Sequence, residues 1–123
     1  MTAISINKYI YNILINDEVI KGLVADKIFP LVAEEETTFP FIIFRRNSIT
    51  TEYCKDGRTF DNVEVSISTV ANDYTTTVEI MERVRELFEL NKKDFVSVHL
   101  SSVTEDYIDN AFIQEIVFSI KIK

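Results

Sequence analysis

The sequence has few of the residues on which small-domain chemistry usually depends. It holds one cysteine, Cys54, and one histidine, His99, in 123 residues. An intrachain disulfide is therefore excluded, as are the usual zinc motifs, which need several Cys or His ligands. A Cys–His dyad would require Cys54 and His99 to meet in the fold. Gly22 and Gly57 are the only glycines, so no glycine-rich phosphate loop can be built. With two prolines besides, loops should be few and short. No apolar run approaches the ~20 residues of a membrane span. The opening Met1 to Lys8 lacks the basic start and unbroken apolar stretch of a signal peptide. No His-Glu-x-x-His or Ser-His-Asp arrangement is legible. The expectation is a chain made and folded in a cytoplasm, without catalysis, cofactor, metal or membrane partner.

What is present is a mixture suited to a soluble globular domain, 46% hydrophobic and 27% charged, expected to form one unit over residues 1–123. Thirteen Lys and Arg face twenty Asp and Glu, a net charge of −7. Residues 1–60 carry 7 basic and 8 acidic side chains, and residues 61–123 carry 6 and 12. Such acidity opposes binding of nucleic-acid phosphates by charge attraction.

Hydrophobic periodicity predicts the elements. Ile6, Tyr9, Ile10, Ile13 and Leu14 recur at helical spacing, with Ser5 as a candidate cap. Asn16 and Asp17 break that pattern, and a second short helix follows with acids at its start. Residues 27–30 read as a short extended stretch and residues 34–38 as a polar loop. Phe41 to Phe44 begins a strand that can run on to Thr51, and residues 60–71 form the next, where Val63, Val65 and Ile67 alternate with polar residues. Asp56-Gly57 between them suits a two-residue type I′ turn. Residues 74–90 predict a long helix with the stripe Val78, Met81, Val84, Leu87 and Phe88, flanked by Tyr74 and Ile80. Asp73 or a Thr76/Glu79 capping box can start it and Asn91 can end it, with Lys92 and Lys93 suiting its C-terminal end. Glu79–Arg83 and Arg85–Glu89 are candidate pairs four apart. Two strands follow, one with Val96, Val98 and Leu100 on one side, the other with Ile116, Phe118, Ile120 and Ile122 inward. Asp106, Asp109 and Asn110 mark the turn region between them.

The predicted fold class is α+β. A mainly antiparallel four-stranded sheet of two hairpins carries an N-terminal helix pair and one long central helix on one face. The acidic runs Glu34–Glu36 and Glu105–Asp106 lie in polar loops, where a carboxylate lacks the burial that a general acid or base needs. Arg45-Arg46 lies within a strand, so one of the two must face the helices or lie beyond their cover. A structural role ending in an ion pair is the simpler reading and a phosphate site the other.

Several segments, taken in order, resemble one family. Tyr11 to Val19 looks like a helix, an Asp break and a second helix. Leu23-Val24-Ala25-Asp26-Lys27-Ile28-Phe29-Pro30 is similar to a "Leu-Val, small, x, basic, Ile, aromatic, Pro" stretch. Phe39 to Phe44 is similar to an "aromatic, Pro, aromatic, aliphatic, aliphatic, aromatic" strand. Val63 to Ser68, then Asn72-Asp73-Tyr74 and the helix, resemble its second strand and second helix. This order resembles the tail-completion, or tail-terminator, proteins of long-tailed bacteriophages and prophages; the last thirty or so residues match only in type, as two strands.

The resemblance implies a non-enzymatic part of the virion, found at the head–tail junction and assembled in the host bacterial cytoplasm. It implies a homo-oligomeric, typically hexameric, ring that caps the tail tube and forms the surface joined to the head. Its partners would be the tail-tube protein and a head-completion protein, with DNA passing through without specific binding. Six subunits ~35 Å across enclose a hole of about one subunit diameter. Within this reading Glu34, Glu35 and Glu36 are candidates for the lumen, where acids keep phosphates from sticking. The hairpin tip, with Glu52, Tyr53, Lys55, Asp56 and Arg58, is the candidate contact with another subunit or the tube, since it mixes charge signs with an amphipathic aromatic. A neck or head-completion component of the same virion, and a small bacterial ligand-binding domain, are the alternatives.

Overall fold

Three helices and five strands follow one another in the computed structural model, which describes residues 2–90 and 95–123, the Arg58 side chain excepted. They are α1 (Ile6–Ile15), α2 (Glu18–Val24), β1 (Ile28–Pro30), β2 (Phe41–Cys54), β3 (Gly57–Ala71), α3 (Tyr74–Leu90), β4 (Ser97–Ile108) and β5 (Ala111–Ile122). The sheet order is β1-β2-β3-β5-β4. The predicted extended stretch at 27–30 is therefore a fifth strand, and it pairs parallel to β2, with Ile28 opposite Ile42. The sheet is thus five-stranded and mixed where four mainly antiparallel strands were expected; β1–β2 is its parallel pair. The cause is the loop 31–40, which carries the chain back so that β2 starts beside the start of β1.

The helices cover one face. Ile42 and Phe44 of β2, Val63, Val65 and Ile67 of β3, and Ile116, Phe118, Ile120 and Ile122 of β5 are buried there with Ile6, Ile10 and Leu14 of α1 and Met81, Val84 and Phe88 of α3. Phe88 stacks on Phe118, ring centroids 5.1 Å apart. The α3 stripe is rotated from the predicted one. Thr77 and Ile80 are fully buried, whereas Val78 lies at the margin and Tyr74 is exposed.

Two irregularities keep the alternation in phase with the core. In β2 the register shifts between Arg46 and Ser48. Asn47 is the extra residue, and its amide donates to Ser66 Oγ (2.6 Å) and Glu64 Oε1 (3.2 Å). Without that bulge Ser48 would point inward; with it, Ile49 does. A second shift between Leu100 and Ser102 places Val103, Glu105 and Tyr107 opposite Ile116, Gln114 and Phe112.

Some local signals hold and others are revised. Ser5 does not cap α1; Thr2 and Ser5 exchange hydroxyl and backbone bonds at 3.0–3.1 Å one turn earlier. Asp73, not a Thr76/Glu79 box, starts α3 by accepting from the Thr76 N–H at 2.7 Å. Arg83 does not need Glu79, because it reaches Asp17 and Glu86, whereas Arg85–Glu89 forms as expected. Val96 is exposed and precedes the strand, and Asp106 lies inside β4, not in a turn. The candidate helix end at Asn91 and the Lys92 and Lys93 beside it lie outside the described residues.

Both hairpin turns span two residues but differ in kind. In β4–β5, Asp109 (φ 51°) and Asn110 (φ 63°) are both left-handed, the type I′ geometry. In β2–β3 the closing pair is Cys54 with Gly57. The turn residues are thus Lys55 and Asp56, and only Gly57 takes a positive φ, 113°. The predicted Asp56-Gly57 turn is displaced by one residue. A glycine after a two-residue turn, with the neighbouring register shift between Glu52 and Tyr53, is the bulged form of hairpin.

Candidate assembly surfaces

The two predicted surfaces lie at opposite ends of β2. The acidic loop leads into Phe41 and the hairpin tip follows Cys54, thirteen residue steps away, which is ~43 Å at ~3.3 Å per residue.

At the tip, Tyr53 is 76% exposed, and Lys55 and Asp56 are exposed as well. The last rung shared with β5 is Asp61–Ile122, opposite Thr51. The hairpin therefore projects by three pairs, Glu52–Phe60, Tyr53–Arg58 and Cys54–Gly57, a much shorter arm than the strand lengths suggest. Glu52 belongs to its root. Asn62 Nδ2 donates to Glu52 Oε1 at 3.0 Å and Lys121 Nζ lies 3.5 Å from it. Asn62 first, then Lys121, hold the Glu52 carboxyl below its usual range. Lys121 also lies over the Phe60 ring, 5.2 Å from its centre, a cation–π contact. Tyr53, Lys55 and Asp56 are the exposed remainder of the tip.

Glu34, Glu35 and Glu36 are all exposed. Their loop is held by Thr37, whose hydroxyl donates to the Glu34 carbonyl at 2.5 Å, and by Lys27, whose ammonium donates to the Thr38 carbonyl at 3.0 Å. A shallow hollow separates the loop from Tyr11 and from residues 26–30.

The single cysteine and single histidine are not brought together. Cys54 is at the tip, whereas His99 pairs with Ser119, opposite Glu64. Seven residues of β3 separate Glu64 from Gly57, ~23 Å of strand. Hydrogen bonds, that of Thr59 first, draw the exposed Cys54 thiol below its ordinary value. Arg46 is the arginine that faces the helices, and its Nη1 donates to the Ile4 carbonyl at 2.7 Å. That anchors the N-terminal segment. Among the described residues no group of three or more His, Cys, Asp or Glu is placed to hold a metal ion, and no helix is long and apolar enough to cross a membrane.

Sequence reading missed the concentration of charge. The segments 25–27, 31–40, 71–74 and 105–114 gather at the end of the sheet where β2 begins and β3 finishes. They carry Asp26, Glu34–Glu36, Asp73, Glu105, Asp106 and Asp109 against Lys27 alone. Eight of the twenty carboxylates and one of the thirteen bases lie there. These residues alone sum to −7, a strongly acidic end. Four stretches far apart in sequence build it, so the halves of the chain showed only a diluted asymmetry.

The same end has an aromatic cluster. Tyr74 meets Phe112 edge-on at 6.0 Å, and Tyr107 lies 4.8 Å from Phe112. The Tyr74 hydroxyl donates to Glu105 Oε2 at 2.7 Å, which raises the phenol's pKa above its usual value.

No family model and no curated protein matches the chain. Among solved structures, a chain from the virion of a native gene transfer agent particle shares the fold, with a TM-score of 0.78 and 14% sequence identity. The match covers 92% of this chain and 90% of that one. Almost the whole arrangement of helices and sheet described above is thus similar to that of a virion component.

Proposed function

We propose that this chain is a structural protein of a phage-like virion that caps the tail tube as an oligomeric ring and forms the surface joined to the head, without catalysis. The observation that carries the reading is the near full-length likeness to a gene transfer agent virion chain. The order of segments that resembles the tail-completion family points the same way. In this reading the β2–β3 tip, through Tyr53, Lys55, Asp56 and Arg58, contacts a neighbouring subunit or the tail tube. The acids Glu34–Glu36, at the far end of β2, line the channel.

The ring is tested by shortening the hairpin. Replacing residues 53–58 with Asn-Gly leaves the core side chains in place, since Tyr53 to Gly57 are exposed. The expected product is a folded monomer, where the intact chain gives particles of six chain masses by native mass spectrometry. Rings that still form from the shortened chain, and still complete tails, would reduce the tip to a solvated loop.

The channel assignment is tested by charge reversal. Changing Glu34, Glu35 and Glu36 to Lys should give an assembled ring that binds duplex DNA, with affinity falling as salt rises because each phosphate contact releases counterions. Fluorescence anisotropy against salt concentration reads this directly, and unchanged DNA ejection in virions carrying the variant would remove the acids from the lumen.

A further inference from the structure

Thr77 is a fully buried polar side chain on α3, and its bonds determine the chemistry of the cavity beside it. Its hydroxyl has one proton, which goes to the Tyr74 carbonyl oxygen at 2.6 Å. Thr77 can then only accept from Gln114, whose Nε2 lies 3.0 Å away. This fixes the orientation of the Gln114 amide. Its Oε1 then accepts no hydrogen bond from Thr77 and remains open to a donor in the cavity. The side chain is only 7% exposed and lines a cavity of about 250 Å³.

The other walls are electron-rich too. They are the rings of Tyr74, Tyr107 and Phe112 and the carboxylate of Glu105, with no Lys or Arg among the lining residues. The cavity opens at the end of the sheet that carries the net negative charge. It also adjoins the outer edge of β4, the last strand in the sheet order, where residues 101–108 are all exposed. Ring faces, a carboxylate and an amide oxygen together complement a cation. A guanidinium fits them better than an ammonium, because it stacks flat on aromatic faces while donating from its rim in several directions.

We infer that this cavity receives an arginine side chain from an extended, basic segment of a partner protein laid along the β4 edge. A second copy of β4 is a poor occupant. Residues 97–108 hold no Lys or Arg to enter the cavity, and pairing centred on the cavity sets the Glu105 and Asp106 of one copy against those of the other, where like charges across a strand pair repel. A basic partner removes that repulsion and offers Gln114 Oε1 a donor. The inference depends on the chemistry of the cavity and not on ring formation, so it stands or falls separately from the proposed function.

The test is an amide-resolved NMR titration of the full chain. The probe is an acetylated hexapeptide of Ser and Thr with one central Arg, compared with the same peptide carrying Lys. Saturable shifts are expected at residues 74–77 and 105–114, with the Lys peptide weaker by about fivefold, the worth of a stacked guanidinium. Tyr107→Ala and Glu105→Gln, both at exposed positions, should each weaken binding by about the same factor. Changing Glu34–Glu36 to Gln should leave it unchanged. Equal affinity for Arg and Lys peptides, shifts shared with residues 34–36, or no shifts at roughly 10 mM peptide, weaker than any useful site, would each overturn the assignment. Loss of a self-associated state in Glu105→Gln without any peptide would also overturn it, by making a second copy the occupant.

Discussion

Phe88→Ala is expected to cost about 3–5 kcal/mol, the range for removing a buried phenylalanine from a packed core. Phe88 is fully buried and stacks on Phe118, which lies between Val65 of β3 and Leu100 of β4. The ring presses on β5, which has a strand on each side, β3 and β4. The walls around it are strand backbone tied by ladder hydrogen bonds on both sides, so the site can collapse little and the cavity term stays large. Chemical denaturation of the variant reads the loss as a lower midpoint at unchanged slope. Leu90→Ala, two residues on, is the internal control. Leu90 is 69% exposed, and its truncation should fall within about 0.5 kcal/mol of the parent. If the two substitutions cost the same, the packed face of α3 has been misassigned.

Asp17→Ala should be the next most damaging change, at about 2–3 kcal/mol from a lost cap and a lost, largely buried ion pair together. The Asp17 carboxylate accepts the Ile20 N–H at 3.0 Å as the cap of α2. It also receives both Nε and Nη2 of Arg83, at 2.9 and 2.6 Å, so a two-pronged bond ties α2 to α3. The side chains are 8% and 25% exposed, so water screens the pair only partly. Asp17→Asn separates the contributions, since Asn caps as well as Asp but cannot pair with the guanidinium. It should recover about 1 kcal/mol of the loss. The hydrogen bond from Arg83, more than any other cause, holds the Asp17 carboxyl below its ordinary value of 3.8. The unfolded chain therefore takes up the proton first as the pH falls. The stabilisation is whole above about 3.8 and is lost as the pH drops through the lower, folded value. Parent and Asp17→Asn should differ in unfolding free energy at pH 6 and converge in acid; a constant difference would show that the pair does not titrate with folding.

What could be read from the sequence, and what could not, follows from the range of the forces involved. Met81, Val84, Leu87 and Phe88 of α3, the inward set Ile116, Phe118, Ile120 and Ile122, and the capping by Asp73 depend on neighbours within a turn or on strict alternation, and were legible. The parallel strand β1 was not identified as part of the sheet, because three residues carry no period and its partner lies beyond a ten-residue loop. The bulge at Asn47 was hidden for a related reason. Arg45-Arg46-Asn47-Ser48 is polar throughout, so no apolar residue marks where the phase changes until Ile49. The pairing of Arg83 with Asp17, 66 positions away, lost in the sequence reading to the local alternative Glu79. At the candidate surfaces, the exposure of Tyr53 and of Glu34–Glu36 was legible from polar surroundings. The cavity at Gln114 was not, because it joins α3 to β4 and β5 through a buried threonine that reads in sequence as a helix surface residue.

The gathering of charge at one end of the sheet makes the molecule an electric dipole as well as an anion. In solution it experiences a torque in any field, and torque acts before contact. Near a polyanion such as packed DNA, the end bearing Asp26, Glu34–Glu36 and Glu105 turns away and the neutral hairpin end leads; near a basic surface the order reverses. The lever acts within a screening length of ~8–10 Å at physiological salt and shrinks to ~3 Å at 1 M. Salt should therefore slow the productive docking of subunits more than it weakens the finished contacts, so that ionic strength becomes a control on orientation during assembly and hardly on the stability of what is assembled.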